Sequence, residues 1–346
     1  MLDDSINIRG IKRYAVDHAG YVPPEPCAKS TGKRIAIVGG GPGGLSAAYY
    51  LQRMGHQTVV YEKRKSLGGM LRYGIPNYRL PRARLDEEIE VIKAAGVEIH
   101  TGVDIGKDIA MCDLDKVFDA VYLAIGAQTD KKVGIPGEDG ENVISAVTML
   151  RKIGDDIMPD FKGKRVLVIG GGNVAMDAAR CAKRMGAENV YIVYRRSMEE
   201  IPARSEEIHH AIEEGIDFQL LRNPVKVIGD ENGYVTGLEC VKMELGEPDE
   251  SGRRRPVAVP DSEFVLDVDT VIMAIGTSPN PLISSTTEGL DTNRWGCLVV
   301  NEEMATTKDK VYAGGDAVTG AATVILAMGA GKTAAASIDE VLRSKA

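Results

Sequence analysis

Two glycine-rich turns hold the residues best suited to chemistry. The first reads Gly39-x-Gly41-x-x-Gly44, with Pro42 and Gly43 inside it, directly after the apolar run Arg34 to Val38. The second reads Gly170-x-Gly172-x-x-Ala175, with Asn173 and Val174 inside it, directly after Arg165 to Ile169. In such a turn the first glycine permits a tight reversal and the second lets the backbone approach a pyrophosphate. The third, glycine or alanine, lets the next helix pack closely on its strand. The phosphate then meets the helix N-terminus, whose unpaired N–H groups and partial positive charge favour an anion.

A structural turn would satisfy three glycines alone, so the residues downstream decide the reading. After the first turn, Glu62 with Lys63 ends the next apolar run, where a carboxylate accepts ribose hydroxyl protons. At the matching place after the second turn, Tyr194 is followed by Arg195 and Arg196. A carboxylate there would repel a 2'-phosphate, whereas guanidinium groups bind it by charge-assisted hydrogen bonds, which favours NADP over NAD. Arg204 is a further candidate for this clamp; a solvated basic strand end is the plainer alternative. A third signal is Gly314-Gly315-Asp316, closing the run Val311 to Ala313 and leading to an apolar helix that begins near Thr323 and Val324. An Asp so placed suits the ribitol of a flavin, and the helix N-terminus suits negative charge on the ring, so FAD is expected in the first site.

Elements must hold these residues in place, and the sequence repeats them. Each glycine turn lies between a β-branched run and a helical stretch closed by glycine, at Gly55 and Gly186, followed by a further strand: the order of a βαβ unit. The echo extends to Ala120 through Gly126 against Thr270 through Gly276, so Gly126, Ala274 and Gly276 fall at equivalent strand ends. The expectation is an α/β protein with two Rossmann-like, doubly wound parallel sheets, the NAD(P)-binding domain inserted into the FAD-binding domain. The expected boundaries are a leader over 1–32 with one short helix, FAD-binding parts over 33–148 and 286–346, and an NAD(P)H-binding part over 149–285. Glu247 to Arg255 reads as an exposed hairpin loop.

With 346 residues, 44% hydrophobic, the chain is long enough for two cores. Its net charge of −8 is spread along the chain and gives no basic face for nucleic acid or anionic lipid. The longest weakly polar run, Ala321 to Ala336, is broken by Lys332 and falls short of the ~18 apolar residues of a bilayer span, so a cytoplasmic protein without membrane contact is expected. Cys27, Cys112, Cys181, Cys240 and Cys297 show no CxxC spacing and are expected as buried small hydrophobes, with no metal site. His209 and His210 read as surface. The flavin-adjacent cysteine pair of a disulfide reductase is missing, and Gly331-Lys332-Thr333 lacks the upstream glycine of a phosphate-binding loop.

The stretch Gly68 to Pro76, continuing through Arg79-Leu80-Pro81, and the stretch Tyr194-Arg195-Arg196 with Met198 and Ile201-Pro202-Ala203 resemble the small subunit of glutamate synthase and the related N-terminal flavin region of dihydropyrimidine dehydrogenase. The resemblance implies FAD in the outer domain, NADPH in the inserted one, Gly69, Met70 and Arg79 near the flavin, and export of electrons to iron–sulfur centres. Those relatives carry an N-terminal cysteine-rich cluster domain; this sequence has only Cys27 ahead of its first glycine turn, so an iron–sulfur partner subunit is expected to receive the electrons. No acid, base or nucleophile is nominated, because the cofactors perform the chemistry. A free-standing diaphorase or oxidase, and a non-catalytic NADP(H)-sensing module, are the competing readings.

Overall fold

The computed structural model describes residues 6–248, 250 and 252–344. After helix α1 (Ile8–His18) the chain forms β1 (Arg34–Val38), α2 (Pro42–Arg53) and β2 (Gln57–Glu62). Helices α3 (Met70–Tyr73) and α4 (Arg82–Ala94) lead to β3 (Glu98–Thr101), and α5 (Met111–Val117) to β4 (Ala120–Leu123). A short β5 (Thr129–Asp130) precedes β6 (Val143–Ser145) and α6 (Ala146–Gly154). The pattern then repeats: β7 (Arg165–Ile169), α7 (Asn173–Arg184), β8 (Asn189–Tyr194), α8 (Ser205–Glu213) and β9 (Asp217–Leu220). Next come β10 (Arg222–Gly229), β11 (Val235–Pro248), β12 (Arg254–Ala258), β13 (Phe264–Asp267), β14 (Thr270–Met273) and β15 (Thr277–Ser278). The chain closes through α9 (Leu282–Thr286), β16 (Val311–Ala313), α10 (Asp316–Thr319) and α11 (Val324–Ser344).

Two parallel five-stranded sheets result, ordered β16-β4-β1-β2-β3 and β6-β14-β7-β8-β9. Their central strands, β1 and β7, are buried almost throughout, as strands covered on both faces must be. The first sheet takes its last strand from the end of the chain, β16 pairing parallel with β4, so the second sheet interrupts the first. The echo is structural: the Val38 carbonyl accepts from Ala124 N–H, and the Ile169 carbonyl accepts from Ala274 N–H, at the same place in each sheet.

Three features depart from the expected plan. On one face of the second sheet Leu167, Ile169, Val193 and Val271 pack not on helices but on Val227, Leu238 and Cys240 of an antiparallel sheet built from β10, β11, β12 and β13, among the described residues. Strand β6 pairs with β14, and Ser145 caps α6 by accepting from Thr148 N–H, so this strand–helix piece joins the second sheet ahead of residue 149. Ile283 of α9 already lies in the core of the first sheet, before residue 286. The 247–255 segment is the β11–β12 hairpin; Asp249 and Ser251 lie outside the described residues. Of the cysteines, all free, only Cys181, Cys240 and Cys297 are buried; Cys27 and Cys112 are exposed. No helix among the described residues is long and apolar enough to cross a membrane.

Candidate nucleotide-binding sites

The first glycine turn is held by steric necessity. Gly39 has φ of +110°, and a Cβ on it would lie 2.3 Å from the Ala124 carbonyl oxygen. A Cβ on Gly44 would lie 1.9 Å from the Gly39 carbonyl oxygen, so only glycine lets α2 start so close to its strand. Gly41 caps α2 without any side-chain hydrogen bond, which leaves first-turn N–H groups for a ligand.

Above this turn lies a cleft enclosing about 950 Å³ of empty space, part of it open to solvent. Gly39, Gly41, Pro42, Gly43, Glu62, Lys63, Gly69, Met70, Gly126, Gly315 and Asp316 all line it, so the structure brings most of the expected FAD residues together. Glu62 is buried, its Oε2 accepting from Gly40 N–H at 2.8 Å and its Oε1 from Arg64 N–H at 2.8 Å; each oxygen keeps a lone pair for a ribose hydroxyl. Burial pushes the Asp316 carboxyl above its ordinary value, partly offset by the Ala322 N–H at 3.2 Å. With one hydrogen-bond partner among the described residues, the carboxyl keeps capacity to meet a polyol. Gly69, with φ of +51°, approaches Gly41 so closely that a Cβ would sit 2.7 Å from the Gly41 Cα. The Tyr122 hydroxyl is buried and unpartnered among the described residues, 2.4 Å from where a Gly314 Cβ would be, so this floor has room only for glycine. A cradle of glycines, helix N–H groups, a ribose-binding acid and a buried Asp suits an extended dinucleotide such as FAD.

Four expected residues, Gly44, Arg79, Thr323 and Val324, are elsewhere. Gly44 faces its strand. Thr323 precedes α11 and accepts from Leu326 N–H through its Oγ1, while Ala327, one turn beyond Val324, is the α11 residue that reaches the cleft. Arg79 faces α7 and α8: its Nη1 lies 2.7 and 2.6 Å from the two Asp177 oxygens and its Nε 3.0 Å from Glu207. Sequence reasoning missed Arg64, Asp104, Gln128 and Asn280 in the lining. Arg64 was within reach, being two residues beyond Glu62; its guanidinium lies over the Tyr73 ring and donates to Gln128. Asn280 carries no sequence signal, since β15 and the turn after it bring it there.

The second turn repeats the geometry. Gly170 has φ of +139°, with a would-be Cβ 2.3 Å from the Ala274 carbonyl oxygen, and Gly172 caps α7 without a side-chain bond. Ala175 is fully buried where the first turn needs glycine. The Asn173 carbonyl oxygen Oδ1 accepts from Arg204 N–H at 3.1 Å, which anchors the exposed Arg204 beside the start of α7, with Val174 next to it on the first turn. Gly276 is exposed at the end of β14. The two arginines after β8 divide. Arg195 is exposed, whereas Arg196 is 7% exposed and donates through Nε to the Arg254 carbonyl at 2.8 Å. Arg254 in turn reaches Glu200 at 2.6 Å, so Arg196 ties the strand end to the β12 hairpin. Arg195 and Arg204 are both exposed near this turn.

Comparison with known proteins bears on these sites. Residues 33–334 match the family model of the pyridine nucleotide-disulphide oxidoreductases. The NADP(+)-dependent formate dehydrogenase subunit beta of Moorella thermoacetica is 42% identical over 99% of this chain and 52% of its own length, so the chain spans about half of that relative. The glutamate synthase [NADPH] small chain of Halomonas elongata is 37% identical over 98% of this chain and 75% of its own length. Among solved structures, FprA of Mycobacterium tuberculosis in complex with NADPH superposes with a TM-score of 0.75 at 22% identity, covering 90% of this chain and 84% of that one. That likeness shows the two-dinucleotide-domain fold.

Proposed function

The chain belongs to the pyridine nucleotide-disulphide oxidoreductase family and is similar to the glutamate synthase small chains, and from that premise we propose that it takes hydride from NADPH into FAD and passes the electrons to an iron–sulfur partner subunit in the cytoplasm. It is an FAD-containing NAD(P)H oxidoreductase by family and relatives. One observation supports the division of labour most strongly: two turns of the same construction differ where ribose would lie, Glu62 after the first and Arg195 after the second.

When bound, FAD and NADPH would supply the redox chemistry, a hydride moving from the nicotinamide to the flavin. The residues bind and orient. Glu62 holds a ribose, the N-termini of α2 and α7 each take a pyrophosphate, Asp316 takes the ribitol, and Arg195 with Arg204 takes the 2'-phosphate. Despite the family's name, no cysteine among the described residues lines the cleft, and the reading is electron export rather than disulfide reduction. The relatives' names, subunit beta and small chain, favour a partner subunit over a free-standing diaphorase.

Anaerobic addition of NADPH to the purified protein is the test: loss of the yellow flavin absorbance is expected, and persistent colour rejects the hydride step. Iron found in material that co-purifies with the chain supports the partner; rapid turnover with quinone or oxygen and no associated protein rejects it.

A further inference from the structure

The segment from Gly69 to Arg82 physically joins the two sites. It starts at Gly69 and Met70 in the wall of the first cleft. It then packs on the second sheet's helices: a Cβ on Gly154 of α6 would lie 2.7 Å from the Arg72 carbonyl oxygen. Beyond, the Tyr78 ring lies against two guanidiniums of α7, Arg180 at 4.8 Å and Arg184 at 4.1 Å. Arg79 then sets its Nη1 against both Asp177 oxygens and its Nε against Glu207 of α8. The second Glu207 oxygen accepts from Arg180 at 2.7 Å, and Arg180 continues to Glu214. The strap itself is stapled by Arg82, whose Nη1 and Nη2 donate to the Leu71 and Ile75 carbonyls at 2.7 and 2.8 Å.

We propose that the Arg79–Asp177–Glu207 network is a strut that sets the nicotinamide-binding helix α7 against the flavin cleft, making Arg79 and Asp177 positioning residues for hydride transfer. The proposal rests on the reading that NADPH reduces a flavin in the first cleft. Its geometry favours registry over bulk stability. Asp177, Arg180 and Glu207 are all below 10% exposed, and a buried ion pair is often no more stabilising than apolar packing of the same volume. A planar guanidinium that engages two carboxylates through different nitrogens, Nη1 to Asp177 and Nε to Glu207, does fix direction as well as distance. Asp177 stands four residues past Asn173, about 6 Å along α7 from the pyrophosphate turn. A shift at Asp177 is therefore carried rigidly to the nucleotide, and misplacement by about 1 Å costs about 10²-fold in rate.

The experiment compares wild type, Arg79→Lys and Asp177→Asn, each as flavin-bearing protein. The readouts are stopped-flow flavin bleaching by NADPH, the NADPH dissociation constant, and amide hydrogen exchange over residues 69–82 and α7. Both variants are expected to retain flavin, to bind NADPH within about threefold of wild type, to bleach at least about 10-fold more slowly at saturation, and to exchange faster in both segments. Where a single variant does not fold, Arg79→Met with Asp177→Leu replaces the pair by apolar packing and carries the same expectation. Wild-type bleaching rates in a variant whose exchange has risen overturn the proposal. So does weakened NADPH binding with an unchanged saturated rate, which would make the network a binding determinant. No bleaching in the wild type instead overturns the parent reading and leaves the exchange result to be judged separately.

Discussion

Replacing Arg195 by Glu tests the assignment of the two sites most directly, because the structure separates two adjacent arginines that the sequence treats as equals. Arg195 is exposed at the end of β8, so its bond to a 2'-phosphate forms in partly aqueous surroundings. A hydrogen bond to a charged group contributes about 1.5–3 kcal/mol. Reversing the charge adds repulsion of about 1 kcal/mol at about 4 Å in a water-like dielectric. The sum, about 2.5–4 kcal/mol, corresponds to a loss of about 10² to 10³-fold in NADPH affinity. NADH, which lacks the phosphate, should change by no more than a few fold. Anaerobic bleaching titrations with each nucleotide measure both constants, and the gap between them should narrow from about 0.01 to about 0.15 M ionic strength, as exposed charges are screened. Equal losses for NADPH and NADH would refute the clamp, and so would an equal selectivity change in Arg196→Ala. That second variant should instead lower the unfolding temperature, because Arg196 is buried and tied to the Arg254 carbonyl.

Further outcomes follow from contacts already described. Gly44→Ala places a methyl 1.9 Å from the Gly39 carbonyl oxygen, so the protein should purify without flavin colour while Gly172→Ala, which meets nothing within 4 Å, keeps it. Asp316→Ala should cost flavin affinity about 10-fold or more, the loss of one charge-assisted bond, read by flavin release on dialysis. The Asp177 carboxyl is pushed up to about 6 by burial, which outweighs the Arg79 guanidinium beside it. It is faced by Arg79 and Tyr78 from the strap, Arg180 and Cys181 on its own helix and Glu207 on α8. Bleaching rates should therefore fall with acid below about pH 6, where Asp177 takes a proton, and this limb should vanish in Asp177→Asn. Stability runs the other way: the native carboxyl holds its proton to higher pH than the unfolded one, so Asp177's contribution declines as pH rises from about 4 to about 6.

What the sequence made legible was whatever the chain repeats locally. Gly39 and Gly170 are forced by the same collision, with Ala124 and Ala274 carbonyls at equivalent strand ends, so their duplication appears in one dimension before it appears in three. The antiparallel sheet has no such echo. Its strands alternate polar and apolar residues as any half-covered sheet does, and only the packing of Leu238 and Cys240 on Leu167 and Val271 shows that it takes the place of a helical layer. The boundaries shifted for a related reason: Ser145 and Thr148 bind strand and helix into one piece, and no composition change marks where that piece begins.

The arginines show why a site is harder to read than a fold. Arg79, Arg195 and Arg196 are chemically identical; the family resemblance implied the first near the flavin, and sequence position assigned the other two to a phosphate. Burial and partners tell them apart: Arg195 alone of the three is exposed. Arg196 is below 10% exposed and held by a hairpin carbonyl nearly sixty positions away, a partner no local pattern names. Arg79 meets carboxylates on two helices of the other sheet, across chain separations of about 100 and about 130 residues. A cation's role depends on which opposite charge or carbonyl the fold delivers to it, and that is a long-range property. Asp177 and Glu207 gave no signal of their own: each is an acidic residue in a helix, ordinary until the strap from the first cleft arrives between them. The chemistry of single residues was therefore visible early only where it was welded to backbone geometry, as in the glycine turns, and stayed hidden wherever it depended on which half of the molecule packed against the other.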